Sequence, residues 1–448
     1  MLENVLTAVK EWKARKPAYD TYRAYYRGQH ELKFMTPDFE RKHGHLFSSL
    51  RENLCRAVVT AHTDRLNIER WGDEDAAAEA DDQGLGRLQG LVHREAFRCG
   101  DAYTLTWHGA DGTPKARFHR ADQIVPHVDE LDPDRLDWAA KPWITSDNFG
   151  RVNVYYADRV ERFRTVAKLA EGASYTDMPE REQAWIPHSD DDGGDIIGHD
   201  FGAVPVCWWS HDADEQGGYG FSILDDVIPL QDGLNKSLAD LLVLSETHAR
   251  PFWFLLNYKT PDAVAATNPY MSGQPAPQST AAGRGRKFDP TRQQIVTHDG
   301  PGPFGQLEPP DLRRLLDEQA TFKDKVASVA GVPSYYFSQT SGQVPSGESL
   351  RVLTSRLIAA GSGFIQSATP VWRGQGQLLG MGEVEPVWAD LMPMDETERI
   401  GNAEALSRLG LADEDVVAYL GLPDAERIVE RMAAGREARI RDRQQIGY

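Results

Sequence analysis

The sequence contains little cysteine: its 448 residues include Cys55, Cys99 and Cys207 and no others. These cysteines lie far apart, are odd in number and form no CxxC pair, which argues against a disulfide framework and against a zinc knuckle. Free cysteines outside such motifs behave as small apolar residues. We therefore expect all of them to be buried, and the sequence predicts no cofactor.

The chain also lacks a long apolar run. No segment approaches the ~18 uninterrupted apolar residues that a membrane-spanning helix needs. The N-terminal stretch MLENVLTAVKEWKARK has neither the apolar core nor the small-residue cleavage site of a signal peptide. The sequence thus predicts a soluble protein of a reducing compartment, with no membrane partner.

Basic residues are in deficit: 49 Lys and Arg stand against 68 Asp and Glu, a formal net charge of -19. Because phosphate binding needs clustered cations, this balance argues against a protein that holds nucleic acid over its whole surface. DNA can still be handled without being held. No GxxxxGKS or GxxxxGKT motif occurs, which excludes an ATP-hydrolysing motor of the common kind. The GPGPFG segment at residues 300–305 has prolines where a dinucleotide loop needs N–H donors, and it predicts a turn.

Metal-binding patterns are incomplete. An acidic run has a glycine where a calcium loop needs its third ligand, and no glutamate closes it: Asp190, Asp191, Asp192 and Asp195. The HExxH pattern is missing. A metal-dependent hydrolase, with imidazoles and a carboxylate activating a water, stays open as an alternative on two weak pairs: His43 with His45, and His199 with Asp200. Chance pairs are common among 13 histidines, so we expect no enzyme.

The first half of the chain changes its hydrophobic period. Apolar residues recur at helical spacing near residues 2–12, 53–66 and 84–100, and the acidic stretch WGDEDAAAEADD between the last two predicts a surface segment. From residue 102 the period approaches two, which predicts strands of a mixed or antiparallel sheet: AYTLTWH, ARFHR, QIVPHVD, RVNVYYADRVERFRT and AVPVCWW. The tract HSDDDGGDIIGHD predicts a loop. Residues 1–222 thus form one α+β lobe.

Helical spacing returns in the second half, where two medium helices enclose an insertion. The first, near residues 223–250, has Ser222 and Asp225 as a capping pair, and Pro229 either lies in its first turn or kinks it. The second is stopped by its glycine and proline signals: Gly331 and Pro333. Between them, PFWFLLN and QQIVTH predict strands, and a Pro, Gly, Ser and Thr-rich stretch is expected to be mobile: residues 260–285.

An uncharged polar loop, YYFSQTSGQVPSGESL, follows the second of these helices. After it an apolar stripe over residues 346–380 predicts a long helix, bent where it crosses Gly361, Gly363 and Pro370. Two or three shorter helices complete the chain.

Several stretches resemble bacteriophage portal proteins, in particular those of long-tailed phages. The similar stretches are spread in order over nearly the whole chain: YYRGQHELKF, NLCRAVVTAHTDRLNIERW, YGFSILDDVIPLQDGLNKSLADLLVLSE, GVPSYYFSQTSGQVPSGESLRVL and LGLPDAERIVERM. The resemblance implies a ring, usually of twelve subunits, at one vertex of a capsid, through which the genome is pumped in and later leaves.

The resemblance also implies an α+β, portal-like fold whose parts follow the chain in order. They are a mixed α/β wing (1–222), a stem helix (223–250), a small α/β clip insertion (251–310), a second stem helix (311–333), a tunnel loop (334–347), a long kinked helix returning to the wing (348–395) and a helical C-terminal crown (396–448).

By the same resemblance, the loop lines the DNA channel, with these side chains toward passing DNA: Ser338, Gln339, Thr340, Ser341, Gln343 and Ser346. A neutral polar lining suits a conduit, because each neutralised phosphate adds affinity and therefore friction. The GRGRK cluster either marks the contact of the clip with an acidic partner or is a solvated loop: Arg284, Arg286 and Lys287.

The implied partners are further copies of the chain, double-stranded DNA, a large terminase, a major capsid or scaffold protein and a head-tail adaptor. The implied location is the portal vertex of the virion, after assembly in the host cytoplasm. Another head-tail connector protein stays open as an alternative.

Overall fold

The computed structural model describes residues 2–31, 41, 52–72, 74–129, 131–132, 135–189, 194–213, 218–249, 253–256, 295–298, 304–306, 312–337, 347–392, 396–410, 412, 415–417, 428–429 and 431–432. By its internal contacts the chain divides into two units, residues 1–389 and 390–448.

The helices with defined bounds are α1 Leu2–Arg27, α2 Cys55–Thr63, α3 Glu74–Asp82, α4 Leu85–Cys99, α5 Val227–Ala249, α6 Leu312–Ala330, α7 Gly347–Leu378 and α8 Glu396–Arg408. Short 3-10 turns lie at Tyr175–Asp177, Glu182–Ala184 and Ser334–Tyr336. Helix α8 belongs to the second unit and the other helices to the first. None of the described helices is both long and apolar enough to cross a membrane.

The strands are β1 Ile68–Trp71, β2 Asp101–His108, β3 Pro114–Arg120, β4 Val125–Val128, β5 Leu136–Ile144, β6 Gly150–Tyr155, β7 Arg159–Thr165, β8 Trp185–Pro187, β9 Ile196–Gly198, β10 Val206–Ser210, β11 Trp253–Leu256, β12 Ile295–His298, β13 Phe304–Gln306 and β14 Pro386–Trp388. The largest sheet has the order β4-β5-β6-β7-β8, with β9 also paired to β7, and its pairings are antiparallel. A second sheet has the order β10-β2-β3.

The main core lies between α1 and one face of the largest sheet. Helix α1 contributes Val5, Ala8, Val9 and Trp12, and the sheet contributes residues that alternate along its strands: Val125, Trp138, Ala140, Val152, Val154 and Phe163. Burial of alternate strand residues on one face is the period-two pattern of a half-covered sheet. A second core joins the two sheets through Tyr103, Leu105, Val160 and Val206, among others.

Glycines follow the last residues of two of the first unit's helices. Gly28 after α1 has φ +67° and Gly100 after α4 has φ +89°, backbone angles that favour glycine. Gly100 has a second constraint, because a Cβ there would lie 2.2 Å from the carbonyl oxygen of Gly220. This close approach brings the end of α4 against the segment that leads into α5.

The predicted strands are present, but the first unit also contains elements that the sequence analysis missed. Strand β5 was not predicted at all. The acidic stretch predicted as surface is helix α3, whose alanines favour a helix while Asp75, Glu79, Asp81 and Asp82 are exposed. The tract predicted as a loop contains β9, and the last residues of GPGPFG begin β13, so both loop predictions were partly wrong.

Helix α5 begins later than its predicted cap. The Ser222 hydroxyl accepts a hydrogen bond from the Leu224 backbone N–H at 3.0 Å, so it caps a turn ahead of the helix, which begins at Val227. Pro229 then lies in the first turn, where its missing N–H costs nothing. Helix α6 lies within the predicted range 311–333, and two of its apolar residues are largely exposed: Leu316 (51%) and Val329 (42%).

Helix α7 is continuous across Pro370. Its predicted apolar stripe is buried at Leu357, Phe364, Ala368 and Trp372, whereas Leu353 near its start is 49% exposed. The bend expected at the glycines and proline stays a prediction. The three cysteines are free and buried, as predicted, and burial raises the thiol pKa of Cys55 and of Cys207 to about 12.

Candidate functional site

The most distinctive feature of the first unit is a helical pair, which we define as α5 and α6. The two helices pack closely because Gly233 faces the ring of Phe322: a Cβ at Gly233 would lie 2.6 Å from the Phe322 Cε1 atom. A larger residue at this position would push the helices apart. Gly233 therefore lies at a point of close contact between the two helices, where a side chain would not fit.

The helical pair is antiparallel. Near the start of α5, the Gln231 side chain accepts from the Leu54 backbone N–H at 2.8 Å and donates to the Glu52 carbonyl at 2.7 Å. Toward the end of α6, Lys323 forms an ion pair with the same Glu52 at 2.6 Å. The opposite ends lead into β11 and β13, which pair antiparallel with each other. The chain therefore leaves the body along α5, turns at a small sheet and returns along α6.

Tyrosines of α1 anchor the start of α5. The Tyr25 hydroxyl donates to both carboxylate oxygens of buried Asp232, at 2.7 and 2.9 Å, and the Tyr22 hydroxyl donates to exposed Asp225 at 2.5 Å. Burial first, and the adjacent carboxylate second, raise the pKa of both phenols well above the usual range. Both therefore remain protonated donors, and α1 fixes the point where the helical pair begins.

Hydrogen bonds from neighbouring elements also fix the end of α6. His62 Nε2 donates to the Ala330 carbonyl at 2.8 Å, and Arg356 of α7 donates to the Ser328 carbonyl at 2.8 Å. Gly331, with φ +67°, then turns the chain beneath the Arg356 side chain. Arg65 donates to the Tyr336 hydroxyl at 3.2 Å. The segment that precedes the predicted DNA-channel loop is thus fixed on α2 and α7.

The C-terminal half of α7 is locked into the body. Trp372 Nε1 donates to His93 Nε2 at 3.1 Å, and Gln375 Nε2 donates to the Thr106 hydroxyl at 2.9 Å while its oxygen accepts from Thr104. These groups are buried. Because an unpaired buried polar group costs about 1–3 kcal/mol, the bonds fix both the position and the rotation of this half of the helix.

A buried ionic network ties α1 to α4 and to the turn after β3. Arg23 Nη2 lies 2.7 Å from Glu95 and 2.8 Å from Asp122, Arg98 also contacts Glu95, and Lys16 lies 3.1 Å from Asp122. Burial alone would raise the carboxyl pKa values, but the adjacent cations outweigh it and hold the pKa of Glu95 and of Asp122 below the usual range. Breaking one partner would leave an uncompensated buried charge.

The predicted channel and clip residues lie outside the described residues. This holds for the channel side chains Ser338, Gln339, Thr340, Ser341, Gln343 and Ser346, and for the basic cluster Arg284, Arg286 and Lys287. Both remain predictions. The structure defines only the bases of these segments, namely α6 and α7 for the channel loop and β11 to β13 for the insertion.

Of the residues of the hydrolase alternative, the structure describes His199 and Asp200. His199 Nε2 donates to the Tyr156 carbonyl at 3.0 Å, whereas Asp200 lies 3.2 Å from His108 Nε2. His43 and His45 lie outside the described residues. Across the described ranges, no group of at least three His, Cys, Asp or Glu side chains could hold a metal ion.

Sequence reasoning missed the residues that anchor the helical pair and α7. Tyr25, Asp232, Gln231, His93 and Gln375 each sit on a helix that was predicted, but their partners are far away in the chain. The available signal was a polar or charged residue on the apolar side of a helix, as at Asp232 and Gln375, which requires a buried partner.

A comparison with protein-family models agrees with the resemblance seen in the sequence. The model of the family described as phage portal protein, SPP1 Gp6-like, matches residues 8–298. A search of curated protein sequences gave no match. Among solved structures, the neck of an empty gene transfer agent particle aligns at 14% identity over 86% of this chain and 94% of that chain, with a TM-score of 0.45. The neck of the native particle aligns at 15% identity over 75% and 80%, with a TM-score of 0.41.

The family match spans well over half of the chain and includes most of α1, the largest sheet, the β10-β2-β3 sheet and helix α5. The family prediction made from the sequence is therefore confirmed, and the chain belongs to the SPP1 Gp6-like family of phage portal proteins.

Proposed function

We propose that the protein is the subunit of a ring, usually of twelve copies, at one vertex of a capsid. Double-stranded DNA passes through the central channel during packaging and during ejection. In this proposal the subunit carries no catalytic activity, and a separate large terminase drives the DNA. The assembled ring docks the terminase, a capsid or scaffold protein and a head-tail adaptor, and it resides at the portal vertex of the virion after assembly in the host cytoplasm.

The observation that carries the proposal is family membership over residues 8–298. The helical pair supports it physically, because several apolar side chains there are only partly covered. Leu238, Leu241, Leu242 and Leu244 of α5 are half-buried, and Leu316 of α6 is 51% exposed. Apolar surface of this kind marks a contact with another chain. In a head-to-tail ring, each copy offers two complementary faces.

The parts of the channel follow from the same proposal. The helical pair forms the stem, its strands and insertion form the clip, and the uncharged loop between α6 and α7 lines the channel. The clip cluster Arg284, Arg286 and Lys287 contacts an acidic surface of a docking partner. Because an uncharged lining binds phosphates weakly, DNA slides past it with little friction.

Mass photometry of the purified protein, followed by ring-averaged electron microscopy, tests the proposal. We expect closed rings with a central channel wide enough for duplex DNA. A strictly monomeric particle at high concentration, with and without a capsid or scaffold partner, would contradict it.

A pair of variants tests the role of the helical pair. Leu241→Gln with Leu242→Gln should shift the mass distribution from rings to single subunits without loss of the helical circular dichroism signal. The matched control is Val166→Gln with Ile196→Gln, which replaces two exposed apolar residues elsewhere and should leave ring formation unchanged. If the two double variants affect ring formation equally, the proposal that the helical pair forms the subunit contact is contradicted.

A further inference from the structure

One face of the largest sheet carries a regular grid of polar side chains. The strand register aligns Lys141 of β5 with Asn153 of β6 and Arg162 of β7 in one row. It aligns a second row beside the first: Trp143, Arg151 and Arg164. All six side chains are partly exposed, whereas the residues that alternate with them are buried on the opposite face. Four of the six are cations and none is a carboxylate.

The positive charge extends beyond the grid at both ends. Arg117 of β3 is exposed and acts on Lys141, and Lys168 is exposed beside Arg164. We call the resulting surface the basic sheet face, and define it as Arg117, Lys141, Arg151, Arg162, Arg164 and Lys168. It concentrates six cations in a chain whose net charge is -19. Two carboxylate residues lie at its edge: Asp147 is near Arg151 and Lys168, and Asp195 accepts the Arg162 backbone N–H at 2.8 Å through its carbonyl, while the Arg162 guanidinium donates to the Gly194 carbonyl at 3.5 Å.

Aromatic rings hold the cations in place. The Arg164 guanidinium lies 5.0 Å and the Lys168 ammonium 5.5 Å from the centre of the Phe149 ring. Lys141 lies 5.9 Å from the Trp143 ring and donates to His119 Nε2 at 3.0 Å. Partial burial, with Arg117 nearby, lowers the pKa of Lys141, as expected where cations are crowded. An anion on this face would relieve that repulsion.

We propose that the basic sheet face binds the phosphate backbone of double-stranded DNA, independently of sequence and outside the channel. Neighbouring strands lie about 4.8 Å apart and alternate residues about 6.8 Å apart, so the grid is a two-dimensional array of charge. A duplex presents phosphates from two strands, one charge per ~1.7 Å of axis, and matches such an array better than a single acidic peptide does. Arg and Lys supply phosphate contacts without base readout.

The acidic remainder of the chain repels DNA and so confines the contact to this face. Because the contact is electrostatic, salt weakens it. The inference goes beyond the channel, because it assigns a second DNA contact to each subunit whether or not the ring has closed.

Filter binding of a labelled, covalently closed DNA minicircle tests the proposal, because a closed circle cannot thread a closed ring. The protein should bind the circle with an affinity that falls steeply with salt. Arg164→Gln with Lys168→Gln removes two cations and should reduce the magnitude of the negative slope of log K against log salt by about 1.8. At ~0.1 M salt this corresponds to binding about 60-fold weaker.

Two further variants make the test specific. Arg164→Lys with Lys168→Arg keeps both charges and should keep the salt slope. Arg87→Gln with Arg94→Gln removes two exposed arginines from α4 and should leave binding unchanged. Thermal unfolding verifies that each variant is folded.

The proposal is overturned if the circle is not bound, if the Arg164→Gln, Lys168→Gln variant binds like the parent protein, or if the α4 variant weakens binding equally. Displacement of the circle by polyglutamate at equal charge concentration would replace DNA with an acidic protein as the partner. If the protein is monomeric but binds the circle as expected, the proposed ring is contradicted and the proposed DNA contact of this face is supported. If the protein forms closed rings that do not bind the circle, the proposed ring is supported and the proposed DNA contact of this face is contradicted.

Discussion

Trp372 donates its indole N–H to Nε2 of His93 across 3.1 Å, and this bond joins α7 to α4. His93 Nδ1 in turn donates to the Leu66 carbonyl at 2.9 Å, so a single neutral tautomer satisfies both partners. The imidazole is buried, and burial lowers its pKa to about 4. A protonated His93 would present an N–H to the indole N–H and lose the bond.

Acid should therefore weaken the fold. His62, His93 and His119 are buried, and burial is the largest cause that lowers the pKa of each from 6.5 to about 4. The unfolded chain thus binds protons below pH 6.5 that the folded chain does not, and the free energy of unfolding falls as the pH drops from 6.5 toward about 4. At about pH 5 the loss is about 2 kcal/mol for each histidine.

Urea unfolding at about pH 7.5 and about pH 5 measures this loss. His93→Gln should reduce the difference in the free energy of unfolding between the two pH values by about 2 kcal/mol. A free energy of unfolding that is equal at the two pH values would contradict the prediction.

Enlarging Gly233 should separate the helical pair. Gly233→Ala places a methyl group 2.6 Å from the Phe322 ring, and we expect it to lower the free energy of unfolding by about 1–3 kcal/mol. Phe322→Leu should recover part of that loss in the double variant. Gly363→Ala in α7 is the matched control, because its Cβ meets no atom within 4 Å and alanine favours the helix. Equal thermal shifts for the two alanine variants would disprove the close contact.

Removing the Tyr25 hydroxyl should loosen the start of α5. Tyr25→Phe leaves the buried Asp232 carboxylate without this donor, which costs about 1–3 kcal/mol. Tyr22→Phe deletes the same group beside exposed Asp225, where water replaces it, and should cost less than about 1 kcal/mol. Chemical unfolding of the two variants measures the difference, and a larger loss for Tyr22→Phe would reverse the assignment.

Cations in the uncharged loop should slow DNA without preventing ring assembly. Replacing Gln339, Thr340 and Gln343 by lysine adds phosphate contacts where the channel is predicted to be neutral, so friction rises. We expect intact rings and impaired packaging in a packaging assay. The control places three lysines at exposed neutral residues of the sheet lobe: Ala170, Thr176 and Gln183. Packaging by the loop variant at the control rate would mean that these side chains do not face the duplex.

Periodicity predicted most of the elements because their burial is one-sided. Strands β6 and β7 alternate polar and apolar residues, and α4 and α6 end at glycines with positive φ. Strand β5 was not predicted because Trp138, Ala139 and Ala140 are buried in succession on both of its faces. This removes the alternation of polar and apolar residues that indicates a strand. The alanine-rich α3 was not predicted, because its many acidic residues indicate a surface segment although its alanines favour a helix.

The anchors of the helical pair could not be predicted in the same way. Tyr25 and Asp232 are 207 residues apart, and Trp372 and His93 are 279 apart. Local spacing carries no information about such pairs. The basic sheet face could not be predicted from the sequence for the same reason. Each strand contributes one or two cations, and only the register of β5, β6 and β7 assembles them into a grid.

The pairing of β11 with β13 has an evolutionary and practical consequence. Backbone hydrogen bonds join the strand that leaves α5 to the strand that precedes α6, and β12 pairs with the same β11. The strand after α5 and the strand before α6 are therefore joined directly to each other. We therefore expect that exchanging, shortening or fusing sequence between Leu256 and Ile295 leaves the pairing of β11 with β13 in place, and with it the spacing of the two helix ends.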